Sequence, residues 1–292
     1  MCFGYVGRVG ESSMGTTGRP VWHGVGGGGG VRLHVEEHGD PEHPAVVLLH
    51  GLGYCRLAWA HQVRSLSSAF RLVTVDLRGH GGSDAPSDGY ADSTLWARDV
   101  AAVLAELDLH RPVLVGWSYA GAVICDYLAE YGDNALGGVV LVGAVSDLGT
   151  RRALDGLTDE FVAVSRRLVR SDPADLPAAV DDFVELCTAR PLPERVAGQM
   201  HGWNSVVPGH VRAGMLRRTL EHDATLAAVR VPTLVVHGEA DRVVRVSHAR
   251  HVAGLVPGAR LVTIPEVGHM PFWEAPERFD TLLADFVRAS GR

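Results

Sequence analysis

The chain has 292 residues, 46% of them apolar, which is enough to bury a full core in one α/β catalytic domain. Its formal charge of -7 offers no basic field for a phosphate backbone or an anionic lipid surface, so nucleic acid and membranes are poor partners and a small neutral substrate fits better. All 27 basic residues are arginine, which excludes a Schiff-base lysine, a Ser-Lys dyad and a P-loop lysine, because guanidinium cannot replace the amine in any of them.

Residues 1–29 are rich in Gly, Ser and Thr and run into the glycines at 26–30, a composition expected to stay a flexible extension. The folded part is expected to begin near Val31, and Met14 is a second candidate start. The first ten residues lack a continuous apolar signal core, and the longest apolar runs fall far short of the roughly 18 to 20 residues that span a bilayer. Cys2, Cys55, Cys125 and Cys187 lie far apart with no Cys-x-x-Cys pair, which argues against a zinc ribbon and suits a soluble cytoplasmic protein.

Strand-like segments follow at 31–35, 45–49, 72–75, 113–115, 139–142, 233–236 and 260–264. The middle ones are short, continuous, β-branched runs, the pattern of strands buried on both faces of a parallel sheet. Between them, 93–107 and 120–131 have helical spacing, with Ala122, Cys125, Leu128 and Ala129 on one face. The alternation predicts a doubly wound, mostly parallel α/β sheet. About ninety helical, proline-bearing residues between 145 and 233 are too long for an ordinary crossover and read as a helical cap. The expected division is an extension at 1–29, a core at 30–145 and 226–292, and a cap at 146–225.

Val113, Leu114, Val115, Gly116 and Trp117 lead a buried strand straight into Ser118, and a helix follows at once. A serine on so tight a strand-to-helix turn takes strained backbone and projects its Oγ above the sheet, provided its neighbours are small. Gly116 meets that need, whereas Ala120 stands where the G-x-S-x-G pattern has its second glycine, with Gly121 next. Upstream, His50, Gly51, Leu52 and Gly53 follow the strand at 45–49, so that the Leu52 and Tyr119 amides can together hold a tetrahedral oxyanion. Downstream, Asp241 follows the strand at 233–236 and His269 the strand at 260–264. Glu239 and Asp147 compete with Asp241 for the acid. The order Ser118, Asp241, His269, each after a successive strand, is more specific than any one member.

On these residues the chain resembles the α/β-hydrolase superfamily from Val31 to Val287. The run from Asp76 through Leu77, Arg78, Gly79, His80, Gly81, Gly82 and Ser83 to Asp84 is similar to a loop of its single-cap esterases, perhydrolases and carbon-carbon hydrolases, where it is mainly structural. Haloalkane dehalogenases and epoxide hydrolases of this fold carry an aspartate nucleophile, and serine at 118 argues against both. The resemblance implies a Ser118-His269-Asp241 triad, Leu52 and Tyr119 as oxyanion hole, no cofactor and no metal. Its leading activity is hydrolysis of a carboxylic ester, thioester or lactone. Perhydrolysis with cofactor-free haloperoxidase behaviour, carbon-carbon bond hydrolysis, and a receptor with little turnover are the alternatives.

Trp117, Tyr119, Trp203, Phe272 and Trp273 are candidates to wall an apolar pocket, with Trp117, Trp203 and Phe272 as expected substrate contacts, and packing between cap and core is the competing role. His34, Val35, Glu36, Glu37 and His38 spell H-x-x-E-H, but the alternation around them is that of a strand, so helical zinc geometry is not expected. His248 and His251 are expected to be a solvated pair.

Overall fold

The computed structural model describes residues 20–170 and 174–291. Continuous apolar runs become the central strands because both of their faces are covered: every residue of β3 (Ala45–Leu49), β5 (Val113–Trp117), β6 (Gly138–Val142) and β7 (Thr233–Gly238) is buried. With β1 (Val21–Gly26), β2 (Arg32–His38), β4 (Arg71–Val75) and β8 (Arg260–Ile264) they form an eight-stranded sheet in the order β1-β2-β4-β3-β5-β6-β7-β8. β2 pairs antiparallel with β1 and β4, and the other pairings are parallel. All carboxyl ends of the parallel strands therefore face one way.

Helices cover the sheet in two contact groups. α1 (Ala60–Leu66) packs with α11 (Pro271–Glu274) and α12 (Pro276–Ser290), while α2 (Ser93–Glu106), α3 (Ala120–Tyr131), α9 (Asp223–Ala228) and α10 (Val246–Leu255) form a chain of neighbours. Between β6 and α9 lie α4 (Arg151–Gly156), α5 (Asp159–Arg170), α6 (Leu176–Leu186), α7 (Glu194–Ser205) and α8 (Gly209–Leu216). Of these, α5 packs on both α6 and α8, and α6 packs on α7, so the long interval is a helical insertion. The expected boundary at 225 falls inside α9, whose contacts with α3 and α10 assign it to the core.

The expected flexible extension needs correction from residue 20 onward; residues 1–19 lie outside the described part. Val21–Gly26 is a strand paired along its length with β2, from Val21 opposite Glu37 to Gly26 opposite Arg32. The glycine run makes the turn between the two strands and packs on α2. Gly28 donates its N–H to Asp99 Oδ1 (2.8 Å), and a Cβ on Gly28 would come within 2.7 Å of the Leu95 carbonyl oxygen. Glycine here is what allows close approach to a helix. The segment is locked by Arg78, whose buried guanidinium donates to both oxygens of Asp99 (2.6 and 2.7 Å) and to the Gly28 carbonyl (2.9 Å).

Asp99→Ala leaves that guanidinium and the Gly28 amide without their carboxylate, and breaking one side of a buried pair costs about 3 to 5 kcal/mol. Urea unfolding is expected to register a loss of that order. A change under about 1 kcal/mol would show that the pair does not anchor the segment.

Candidate active site

Ser118 joins β5 to α3 with φ +57°, a left-handed conformation that a non-glycine residue rarely takes. Its N–H donates to Val142 O at the end of β6 (2.9 Å), and its carbonyl accepts from Gly121 N (2.9 Å) and Val145 N (3.0 Å). A Cβ on Gly121 would lie 2.6 Å from Ala144 Cβ and 2.7 Å from Val145 O, whereas Ala120 fits fully buried. The tight approach to the loop after β6 thus falls at 121, which accounts for alanine at 120.

Asp241 and His269 meet in the loops after β7 and β8. His269 Nδ1 lies 2.8 Å from Asp241 Oδ2, and both side chains are buried. The other carboxylate oxygen accepts the Val243 and Val244 amides at 2.7 and 2.9 Å. Burial alone would raise the Asp241 pKa, but the His269 imidazole, then His237 and the Val244 amide, outweigh it and hold the carboxyl below its ordinary value. His269 Nε2 is buried and has no hydrogen-bond partner among the described residues. Trp117, next to Ser118, donates its indole N–H to the His269 carbonyl (2.8 Å), tying the serine turn to the histidine loop. The rival carboxylates are engaged elsewhere: Asp147 accepts from His222 N and Arg152, and Glu239 accepts from the Thr263 hydroxyl.

The loop after β3 passes close to the serine, since a Cβ on Gly51 would stand 2.9 Å from Ser118 Cβ and 3.4 Å from its Oγ. Among the described residues, neither the Leu52 nor the Tyr119 amide donates a hydrogen bond. Two histidines pin this loop. His50 Nε2 accepts Leu77 N–H (3.0 Å) while its Nδ1 is 2.8 Å from Gly51 O, and His80 Nε2 accepts Gly53 N–H (3.1 Å) while its Nδ1 is 3.0 Å from Arg78 O. Both rings must be neutral to accept those amides. Burial lowers the His50 pKa to about 4, and burial together with the neighbouring His50 lowers that of His80 to about 3. His80 is a positioning residue that the sequence reading left without a role; its signal lay in the loop from Asp76 to Asp84.

A cavity of about 400 Å³ opens on Ser118, Leu52 and Tyr119, with Leu148, Phe161 and Phe183 among its walls. Trp117, Trp203 and Phe272 do not line it. Trp117 packs edge-on against Tyr54 and Phe272, Trp203 packs on Tyr54, and Phe272 lies against Trp59. Trp273 packs on His61. The aromatic walls come instead from Tyr119, α5 and α6. His34 and His38 lie on β2 and flank Glu36, which is bound to Arg56 (2.7 Å). His248 is buried and accepts from the Ser146 amide (3.3 Å), and His251 Nε2 is 3.0 Å from Asp223, so the two are separately partnered and not a solvated pair. Asp147, Asp223 and His251 come close enough to hold an ion, but Arg152 already bridges the two carboxylates.

The family model for the alpha/beta hydrolase fold matches residues 44–276. The chain belongs to the α/β-hydrolase family. An AB hydrolase superfamily protein of Bacillus subtilis is 30% identical over 262 residues, covering 88% of this chain and 95% of that protein. A bifunctional esterase/perhydrolase of Acinetobacter calcoaceticus is 30% identical over 273 residues, covering 89% and 97%. The crystal structure of an esterase from Rhodococcus sp. ECU1013 superposes with a TM-score of 0.87 at 35% identity, covering 91% of this chain and 98% of that one. The protein is accordingly a hydrolase of the α/β fold, and none of its described helices is long and apolar enough to cross a membrane.

The two neutral histidines make a pH prediction. Their folded pKa values lie below the unfolded value of 6.5, so the unfolded chain binds more protons between about 6.5 and 4. Their contribution is complete above 6.5 and is lost as pH falls toward 4, at about 1.4 kcal/mol per pH unit for each ring. Thermal unfolding is expected to show Tm dropping steeply from pH 6.5 to 5. A level Tm across that window would contradict neutral His50 and His80.

Proposed function

We propose that the protein hydrolyses carboxylic esters, including thioesters and lactones, of small and largely apolar molecules through an acyl-enzyme on Ser118. The observation that carries this reading is the buried Asp241-His269 pair, whose outer imidazole nitrogen has no partner among the described residues, at the same sheet end as a serine in left-handed backbone. His269 Nε2 takes the Ser118 proton as Oγ attacks the carbonyl carbon. Asp241 holds the Nδ1–H tautomer and stabilises the imidazolium. The Leu52 and Tyr119 amides, free of other acceptors among the described residues, receive the developing oxyanion. His269 then protonates the departing oxygen, and water, activated by the same nitrogen, releases the acid. The helical insertion acts as the cap that sets substrate size, and its apolar walls Leu148, Phe161 and Phe183 favour an acyl chain. Among the described residues, Cys55, Cys125 and Cys187 form no disulfide, which suits work in the cytoplasm.

The Acinetobacter relative, named as both esterase and perhydrolase, favours one second reading: peroxide in place of water at the acyl-enzyme, forming a peracid with the same residues.

Ser118→Ala is expected to lower kcat/KM for short p-nitrophenyl esters by about 10⁴-fold or more. Retention of activity within about tenfold of wild type would remove Ser118 from the mechanism. Repeating the assay with hydrogen peroxide and a halogenation dye separates the two readings: peracid formation in wild type alone supports the second, and ester cleavage without it supports the first.

A further inference from the structure

The cavity over Ser118 is apolar at its base and cationic at its mouth. Along α5, Phe161, Val162, Ser165, Arg166, Val169 and Arg170 line it at helical spacing, and exposure rises from buried Phe161 to exposed Arg170. Exposed Arg217, next to α8, also lines it. Among the described residues, no Asp or Glu lines this cavity, although acidic residues outnumber basic ones 34 to 27 in the chain.

Neighbouring arginines are treated differently. Arg167, one residue along α5, is bound to Asp175 and Asp182; Arg152 is bound to Asp147 and Asp223; Arg218, beside Arg217, is bound to Asp126. Among the described residues, Arg166, Arg170 and Arg217 have no carboxylate within ion-pair reach. Arginine stems can line an apolar wall while their heads stay in water. That use alone does not call for three arginines lining one cavity with no carboxylate partner among the described residues, whereas a bound anion does, because guanidinium forks match carboxylate geometry.

We infer that the preferred substrate is an ester whose acyl chain ends in a carboxylate, the chain lying on Leu148, Phe161 and Phe183 and the anionic end at Arg166, Arg170 and Arg217. The inference rests on the proposed esterase reading and sharpens it: the Ser118 carbonyl site handles the uncharged end, and the mouth selects the charged one. Monoesters of α,ω-dicarboxylic acids carry both features.

The test compares, in the full-length enzyme, monomethyl esters of straight-chain dicarboxylic acids of increasing length with the corresponding dimethyl esters. At the chain length that spans the cavity, kcat/KM for the monoester is expected to exceed that for the diester by about tenfold, through KM, with the margin shrinking as salt is raised. In the combined variant Arg166→Gln, Arg170→Gln, Arg217→Gln, the monoester-to-diester ratio is expected to fall to about one, a ratio that cancels any general loss of activity. In wild type, free dicarboxylates are expected to inhibit diester cleavage more strongly than monocarboxylates of equal length, a readout that needs no variant. Diesters cleaved as well as monoesters at every length, or a preference that survives in the triple variant, would overturn the inference and leave the esterase reading standing. Cleavage of neither ester, with Ser118 intact, would instead overturn the esterase reading beneath it.

Discussion

The left-handed backbone at Ser118 is the constraint around which the carboxyl end of the sheet is assembled. A single residue must end β5, start α3 and present its side chain upward, and it holds φ +57° only because its own amide and carbonyl are taken by Val142, Gly121 and Val145. Those partners belong to α3, the end of β6 and the loop after it, so the strain is offset by hydrogen bonds to residues that are themselves buried. The same turn leaves room for Gly51 against Ser118 and lets Trp117 reach back to the His269 carbonyl. Three loops that follow β3, β6 and β8 are thereby referred to one point.

Around that point the protein buries polar groups in hydrogen-bonded networks, and arginine suits the task because one guanidinium can serve several acceptors at once. Arg218, fully buried behind the turn, donates to Asp126, Ser93 and the Tyr119 hydroxyl. Arg78 joins α2 to the β1–β2 turn through Asp99 and Gly28. Arg56 bridges Asp76 and Glu36, while Asp76 also accepts the Arg56 and Gly82 amides. Among the described residues, Arg166, Arg170 and Arg217 at the cavity mouth have no such carboxylate partner.

The fold was legible where physics acts locally and repetitively. Strands at 45–49 and 260–264 and the helix at 120–131 have the bounds that their patterning predicts; the first is apolar throughout because both of its faces are buried, whereas the second is a partly exposed edge strand. Asp241 and His269 were legible from chain order, since successive parallel strands deliver their loops to the same side. Residues 21–26 were not, because they run into glycines with the composition of a linker, and only the position of α2 reveals that a side chain at Gly27 or Gly28 would collide. The cavity walls were misread for a related reason. Sequence adjacency to Ser118 does not say which side of a sharp turn Trp117 occupies, and its indole points back into the core. Phe161 and Phe183 come from insertion helices whose placement depends on packing between residues far apart in the chain.

The central claim is that Ser118 is a nucleophile activated by His269 and Asp241. Its most direct measurement is covalent labelling with a fluorophosphonate, followed by mass mapping of the modified peptide. The account predicts one adduct per chain, on Ser118, forming rapidly in wild type and at least about a hundredfold more slowly in His269→Ala. An unlabelled Ser118 in an enzyme that still cleaves esters, or equal labelling rates with and without His269, would contradict it.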